Sequence, residues 1–199
     1  MKHLTKEQLK KDLEMRDLSD KTQGEHCMQL IMNEVIDALK ECWNCPVTIY
    51  REGPIVTVED NYDKLKIDKE SVLRSEVYTR YVDDNHVLRT MASVMVPRGL
   101  QSIKDGIKPN HLLACVGLVY RRDQIDRIHS GVHHQMDLWY TSENPVSEQD
   151  MQDMINIIVK VVTGKENSEY ITIPKIHPYT LDGREIDIMV DGKPLEILE

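Results

Sequence analysis

Residues 117–139 decide the fold of this chain: Gly-Leu-Val-Tyr-Arg-Arg-Asp-Gln-Ile-Asp-Arg-Ile-His-Ser-Gly-Val-His-His-Gln-Met-Asp-Leu-Trp. An apolar pattern typical of a buried strand, 113–120, ends at Arg121, and the mostly polar residues 122–131 follow. A second strand pattern then runs through 132–140. Two strand patterns separated by a polar segment predict a long antiparallel hairpin with a charged arm between its strands. We expect the arm to be mobile without ligand, because it contains no apolar run.

Polar residues at the arm and on the second strand indicate a binding cleft. Arg121 stands at the end of a strand, where its planar fork suits a phosphate or a carboxylate. Gln135 and Asp137 are two residues apart on one strand, so their side chains leave the same face and point into the same cleft. This combination is what a nucleotide site needs.

The segments around the hairpin predict an α+β fold, an antiparallel sheet flanked by helices. Helix signals are a capping box at Thr5, a helical apolar stripe over 25–42, Ser93 as a cap with Pro97 in the first turn, and a capping box at Ser147. The stripe comprises Met28, Ile31, Met32, Val35, Ile36 and Leu39, and we expect it to be buried. Further strands are expected around the turn 52–54, at 87–90, at 170–173, and in a hairpin joined by Asp191-Gly192.

Length and composition indicate a single core with a short appendage. The 199 residues divide into an N-terminal helical appendage, 1–24, and a core, 25–199. A net charge of -9 argues against a general nucleic-acid-binding surface, although a local one depends on placement. The sequence has no run of about 18 apolar residues and no signal-peptide pattern at its N-terminus, so we expect no membrane span and a cytoplasmic location. Cys42 and Cys45 form a lone CxxC pair, which we interpret as structural or inert.

Several motifs, in order, carry a resemblance to a known family. They are residues 51–54 with 58–65, 88–93, 120–139, 177–180 with 185–187, and 195–198. Residues 51–54 with 58–65 resemble motif 1 of class II aminoacyl-tRNA synthetases, and residues 88–93 resemble a Leu-Arg-Thr segment of that family. Residues 120–139 resemble motif 2. Residues 177–180 with 185–187 resemble the pocket strand, and residues 195–198 resemble the strand before motif 3. The likeness is to phenylalanyl-tRNA synthetase, especially its small stand-alone relatives, and covers nearly the whole chain from Asp17 onward. It implies ATP-dependent activation of an amino acid as an aminoacyl-adenylate, transfer to tRNA, and a homodimer through the motif 1 region.

The resemblance also implies roles for individual residues. Arg121 would grip the α-phosphate and the attacking carboxylate, His129 would meet an outer phosphate, and Asp123 would touch adenine. Substrate-binding residues would be Ser93, Gln135, Asp137, His177, Tyr179 and Glu185, with Glu196 as a magnesium ligand. Met91, His177 and Tyr179 depart from the family's usual residues and make the implied side-chain pocket more polar. Motif 3, a Gly-x-Gly-x-x-Arg segment, would follow Glu199, so the resemblance implies a longer active enzyme and a poor catalyst in the chain as given.

Two alternatives stay open. Synthetase families contain degenerate copies that bind or scaffold partners without catalysis, although Arg121, His129 and Gln135 are retained here. The activated amino acid could also go to a carrier protein or a small molecule instead of tRNA.

Overall fold

A computed structural model describes residues 2–103, 110–122, 125–126 and 129–199. Within these residues the helices are α1 (Lys6–Leu13), α2 (Cys27–Trp43), α3 (Val96–Ile103) and α4 (Glu148–Thr163). The strands are β1 (Val47–Tyr50), β2 (Ile55–Thr57), β3 (His86–Leu88), β4 (His111–Tyr120), β5 (Val132–Thr141), β6 (Tyr170–Lys175), β7 (Gly183–Val190) and β8 (Lys193–Leu198). Shorter helical turns are Lys21–Gln23, Glu59–Asp63, Val72–Arg74 and Ala92–Met95. These elements confirm the predicted α+β class.

The central hairpin forms as predicted. β4 and β5 pair antiparallel over their whole lengths, from His111 opposite Thr141 to Tyr120 opposite Val132. Four residues of the arm, 123, 124, 127 and 128, lie outside the described residues. The mobility expected of the arm therefore stays a prediction.

The strands form three hydrogen-bonded groups, one of which contains a parallel pair. Their orders are β1-β4-β5, β2-β3 and β6-β7-β8. β1 runs parallel to β4, whereas the other strand pairs in these groups are antiparallel. The parallel pair was not predicted from the sequence. It arises because the long connection through β2, β3 and α3 returns the chain to the same end of the sheet.

Helices pack on both faces of the buried strand β4. Ala114 and Val116 of β4 pack against Met32 and Ile36 of α2. On the opposite face, Leu113 and Cys115 belong to one cluster that also contains residues of α3 and of the 3₁₀ turn Ala92–Met95. Gln135 and Asp137 pair with Gly117 and Cys115, which places them on this second face.

α4 extends the helical layer that α2 begins. Ile158 of α4 joins the cluster of Val35 and Leu39 from α2, and Ile155 and Val159 pack against Ile186 and Ile188 of β7. Because side chains alternate along a strand, Glu185 and Asp187 leave β7 on the face away from α4. Polar side chains of two strand groups therefore lie on faces that α2 and α4 do not cover.

The apolar stripe of α2 is buried only in part. Met32, Val35, Ile36 and Leu39 are buried as predicted. Met28 is only half-buried and Ile31 is 47% exposed, so the prediction was wrong at Ile31 and only partly met at Met28. Packing partners lie along one side of the helix, and Ile31 with its neighbour Leu30 falls beyond them. The helix begins at Cys27, two residues later than predicted, after His26 accepts a hydrogen bond from the amide of Met28.

Most predictions made from local signals at helix ends and turns are confirmed. The capping boxes at Thr5 and Ser147 both form, and α4 ends at Gly164 in the left-handed conformation. Asp191 and Gly192 both have positive φ, as the predicted two-residue hairpin turn requires. Ser93 was wrongly predicted as a cap. It lies inside the 3₁₀ turn Ala92–Met95, which begins after Met91, and its hydroxyl is bonded elsewhere.

The cysteines are free thiols, with Cys42 exposed and Cys45 buried. Desolvation raises the pKa of both thiols, which disfavours the thiolate that metal binding or redox chemistry needs.

Within the described residues, no helix has the length and apolar content of a membrane crossing. The division into 1–24 and 25–199 stays a prediction.

Candidate active site

Arg121 stands where β4 ends, and its neighbours hold both its backbone and its side chain. Its amide donates to the carbonyl oxygen of Gly131 across the base of the arm, at 2.8 Å. Its side-chain Nε donates to the carbonyl oxygen of Thr90 at 2.9 Å. Thr90 is fixed in turn by Asn61, which donates to the Thr90 hydroxyl and accepts from the Thr90 amide. The guanidinium of Arg121 is therefore oriented by a buried network before any ligand binds.

Gln135 and Asp137 point to the same place, as predicted from their spacing. Gln135 Oε1 accepts a hydrogen bond from the amide of Ala92 at 2.9 Å, and Asp137 Oδ2 accepts one from the hydroxyl of Ser93. Both partners belong to the 3₁₀ turn Ala92–Met95. Desolvation raises the pKa of Asp137, against the opposing hydrogen bond from Ser93. A carboxylate in this setting favours a cationic ligand, such as the ammonium group of an amino acid.

Tyr179 lies close to Ser93, Asp137 and Arg121. Burial raises the pKa of its phenol, a hydrogen bond with Ser93 lowers it, and the charges of Asp137 and Arg121 act in opposite directions. His177 stacks on the Tyr179 ring with centroids 5.5 Å apart. The structure therefore brings together Arg121, Ser93, Asp137, His177 and Tyr179, which are far apart in the sequence.

Glu185, Glu196 and Glu199 form an acidic cluster beside this group. One oxygen from each lies within 4.8 Å of the others, and Lys175 contacts both Glu185 and Glu199. Burial raises the pKa of Glu196, and the negative charges of Glu199 and Glu185 add to the effect. The carboxylates fit a hard divalent cation, because such ions take oxygen ligands and would relieve the repulsion.

Of the two other predicted ATP ligands, only His129 lies within the described residues. His129 is exposed, and its Nδ1 lies 2.8 Å from Asp126 Oδ2 within the arm. Among the described residues, no contact joins His129 to Arg121. Asp123 lies outside the described residues. The roles assigned to these two residues stay predictions.

Sequence reasoning missed the residues that hold the site together. Asn61 and Thr90 lie inside the motifs quoted above, but their mutual hydrogen bonds span 29 positions. Lys175 and Glu199 were likewise not assigned to the acidic cluster. Asn61 and Thr90 could have been identified as site residues because they lie within the quoted motifs. No motif or local pattern in the sequence indicated a role for Lys175.

Comparisons with known proteins give the class to which this arrangement belongs. A family model described as tRNA synthetases class II core domain (F) matches residues 10–199. The chain belongs to this family. Its fold is similar to that of pyrrolysyl-tRNA synthetase from Desulfitobacterium hafniense, with a TM-score of 0.61 and 16% sequence identity. That likeness covers 84% of this chain and 57% of the other.

Curated relatives narrow the likeness to phenylalanine–tRNA ligases. The chain is 30% identical over 158 residues to the alpha subunit from Clostridium tetani, covering 78% of this chain and 44% of the relative. It is 30% identical over 162 residues to the alpha subunit from Mycoplasma pneumoniae, covering 79% and 46%. The mitochondrial phenylalanine–tRNA ligase of Saccharomyces cerevisiae is 39% identical over 87 residues, covering 42% and 18%. The chain thus spans less than half the length of these relatives.

Proposed function

We propose that the protein activates an amino acid with ATP and transfers it to tRNA, as a phenylalanine–tRNA ligase-like enzyme. The observation that carries this proposal is the convergence of Arg121, Gln135 and Asp137 on neighbouring residues of one segment, Thr90, Ala92 and Ser93. The guanidinium of Arg121 suits an anionic phosphate or carboxylate, and the carboxylate of Asp137 suits a cationic ammonium group. An amino acid and a nucleoside triphosphate together present these charges.

The proposed reaction is nucleophilic substitution at phosphorus. A carboxylate oxygen of the amino acid attacks the α-phosphorus of ATP, the bond to the bridging oxygen of the β-phosphate breaks, and pyrophosphate leaves. Arg121 would hold the α-phosphate and the carboxylate in line, and neutralise the charge that develops between them. Gln135 and Asp137 would hold the ammonium group so that the carboxylate faces Arg121.

Magnesium would be held by Glu196, supported by Glu185 and Glu199. The cation would supply charge neutralisation at the phosphate oxygens. Lys175 already offsets part of the negative charge of this cluster, so a bound cation would have to compete with its ammonium group. We therefore expect Glu196→Gln to raise the magnesium concentration needed for half-maximal activity.

The deciding experiment is pyrophosphate exchange with each of the twenty amino acids. Exchange that depends on a single amino acid would support the proposal and identify the substrate. Exchange without later charging of tRNA would favour a different acceptor. No exchange with any amino acid, together with no ATP binding, would favour a non-catalytic binding module.

A homodimer through the β1 and β2 region is part of the same proposal. Apolar side chains of α2 and of these strands are exposed here, namely Leu30, Ile31, Ile49 and Ile55. A contiguous patch of exposed apolar side chains would favour a protein interface. Light scattering at micromolar concentration tests this, and a monomer would contradict it. A cytoplasmic location stays a prediction.

A further inference from the structure

Arg80 lies between helix α1 and the two ends of the arm. Its Nε donates to the carbonyl oxygen of Arg121 at 3.1 Å, and its Nη2 donates to the carbonyl oxygen of Gly131 at 2.9 Å. Its Nη1 pairs with Asp12 Oδ1 of α1 at 2.7 Å. A single guanidinium therefore joins both strands of the central hairpin, at the point where the arm leaves them, to the N-terminal helix.

The surroundings make this contact specific for arginine. The side chains of Arg80 and Asp12 are 16% and 13% exposed, so the ion pair is largely shielded from solvent. A Cβ on Gly131 would lie 2.8 Å from Nη2 of Arg80, so the glycine leaves room for the guanidinium. Lysine carries one nitrogen and lacks the planar fork that serves three acceptors at once.

Helix α1 is itself anchored to the same hairpin. Leu4 and Leu9 pack against the cluster that contains Leu118 and Tyr120 of β4. The amide of Leu4 also donates to the carbonyl oxygen of Tyr81, the residue after Arg80. Asp12 is thus held rigidly enough to fix Arg80 in turn.

We propose that Arg80, held by Asp12, is a positioning residue for Arg121, and that α1 is thereby a working part of the site. Arg80 bonds the carbonyl of Arg121 itself and the carbonyl of Gly131, which also accepts from the amide of Arg121. Loss of these bonds would free the backbone from which the Arg121 side chain reaches its ligand. The link to phosphate binding rests on the proposed function, whereas the positioning of Arg121 does not.

The test compares Arg80→Lys with the matched control Arg74→Lys. Arg74 is as buried as Arg80. Its side chain pairs with Asp63, bonds backbone carbonyls and lies over a tyrosine ring, and none of these contacts is with a residue of the arm. Both variants should lose similar stability in urea. Amide hydrogen exchange by NMR reports the Arg121 amide directly, and kinetics report kcat/KM for ATP.

We expect Arg80→Lys to speed exchange at the Arg121 amide about tenfold more than Arg74→Lys does, and to lower kcat/KM for ATP by about tenfold or more. Asp12→Asn, which keeps an acceptor for Arg80, should lie between wild type and Arg80→Lys. Equal effects of the two arginine variants on the Arg121 amide, or no effect of Arg80→Lys, would overturn the positioning role. If the wild-type protein neither binds ATP nor exchanges pyrophosphate, the proposed function fails, and amide exchange alone still decides the role of Arg80.

Discussion

The guanidinium of Arg89 packs directly on Gly117, and a Cβ on this glycine would lie 2.5 Å from Nη2 of the arginine. Arg89 is 3% exposed and is held by hydrogen bonds to the carbonyl oxygens of Leu118 and Glu52. Because these bonds fix the arginine, it has little freedom to retreat. The central strand therefore needs glycine at this position for steric reasons.

Gly117→Ala should destabilise the protein by about 1–3 kcal/mol, the usual cost of overpacking a buried position. Urea unfolding measures this as a lower midpoint. Gly53→Ala is the control, because a Cβ there meets nothing within 4 Å. Equal midpoints for the two variants would mean that Arg89 moves aside without cost.

Thr90→Val should be destabilising, whereas Thr90→Ser should be close to wild type. Valine removes the hydroxyl that accepts a hydrogen bond from the side-chain Nδ2 of Asn61. This leaves a buried donor unpaired, which costs about 1–3 kcal/mol. Serine keeps the hydroxyl. Denaturant midpoints test the difference, and a stable Thr90→Val protein would show that Asn61 finds another partner.

Arg121→Lys should lower pyrophosphate exchange by about a hundredfold with the fold intact, because lysine keeps the charge but not the fork that meets phosphate and carboxylate together. Circular dichroism checks the fold. Arg184→Lys is a suitable control, since Arg184 pairs with Glu148 and Asp182 away from the cleft. Exchange at the wild-type rate in Arg121→Lys would remove Arg121 from the proposed mechanism.

Asp17 should make the protein sensitive to acid. Burial acts to raise the pKa of Asp17, but its contact with the His134 ring, hydrogen bonds from Ser19 and the charge of Arg51 outweigh it and lower the pKa to about 2. Since the folded-state pKa lies below the unfolded value of 3.8, the stabilisation is present above about pH 4 and is lost as the pH falls towards 2. We expect about 1–2 kcal/mol from this group, allowing for its partial exposure.

Asp17→Asn should therefore flatten the loss of stability between pH 4 and pH 2, measured as the urea midpoint against pH. The exposed helix residue Asp37 provides the control as Asp37→Asn. A pH profile for Asp17→Asn as steep as that of the control would show that other carboxylates cause the acid sensitivity.

Structural features that depend on a few neighbouring residues were predicted correctly. The capping box at Ser147, the stop at Gly164 and the Asp191-Gly192 turn each depend on groups that lie within a few positions of one another. The common face of Gln135 and Asp137 followed from strand geometry alone. Ser93 shows where this reasoning fails: its local pattern resembled a cap, but its hydroxyl serves Asp137, which is 44 positions away.

The sequence by itself determined the elements, the central hairpin and the family motifs, because periodicity and turn chemistry act over short distances. Only the tertiary structure decided that β1 runs parallel to β4, that Ile31 faces outward, and that Asp12 reaches the arm through Arg80. Asp12 and Arg80 are 68 positions apart, and their pairing depends on how helix α1 packs against the hairpin. Such contacts depend on how the whole core packs. The burial of many apolar side chains outweighs the local preference of any single residue.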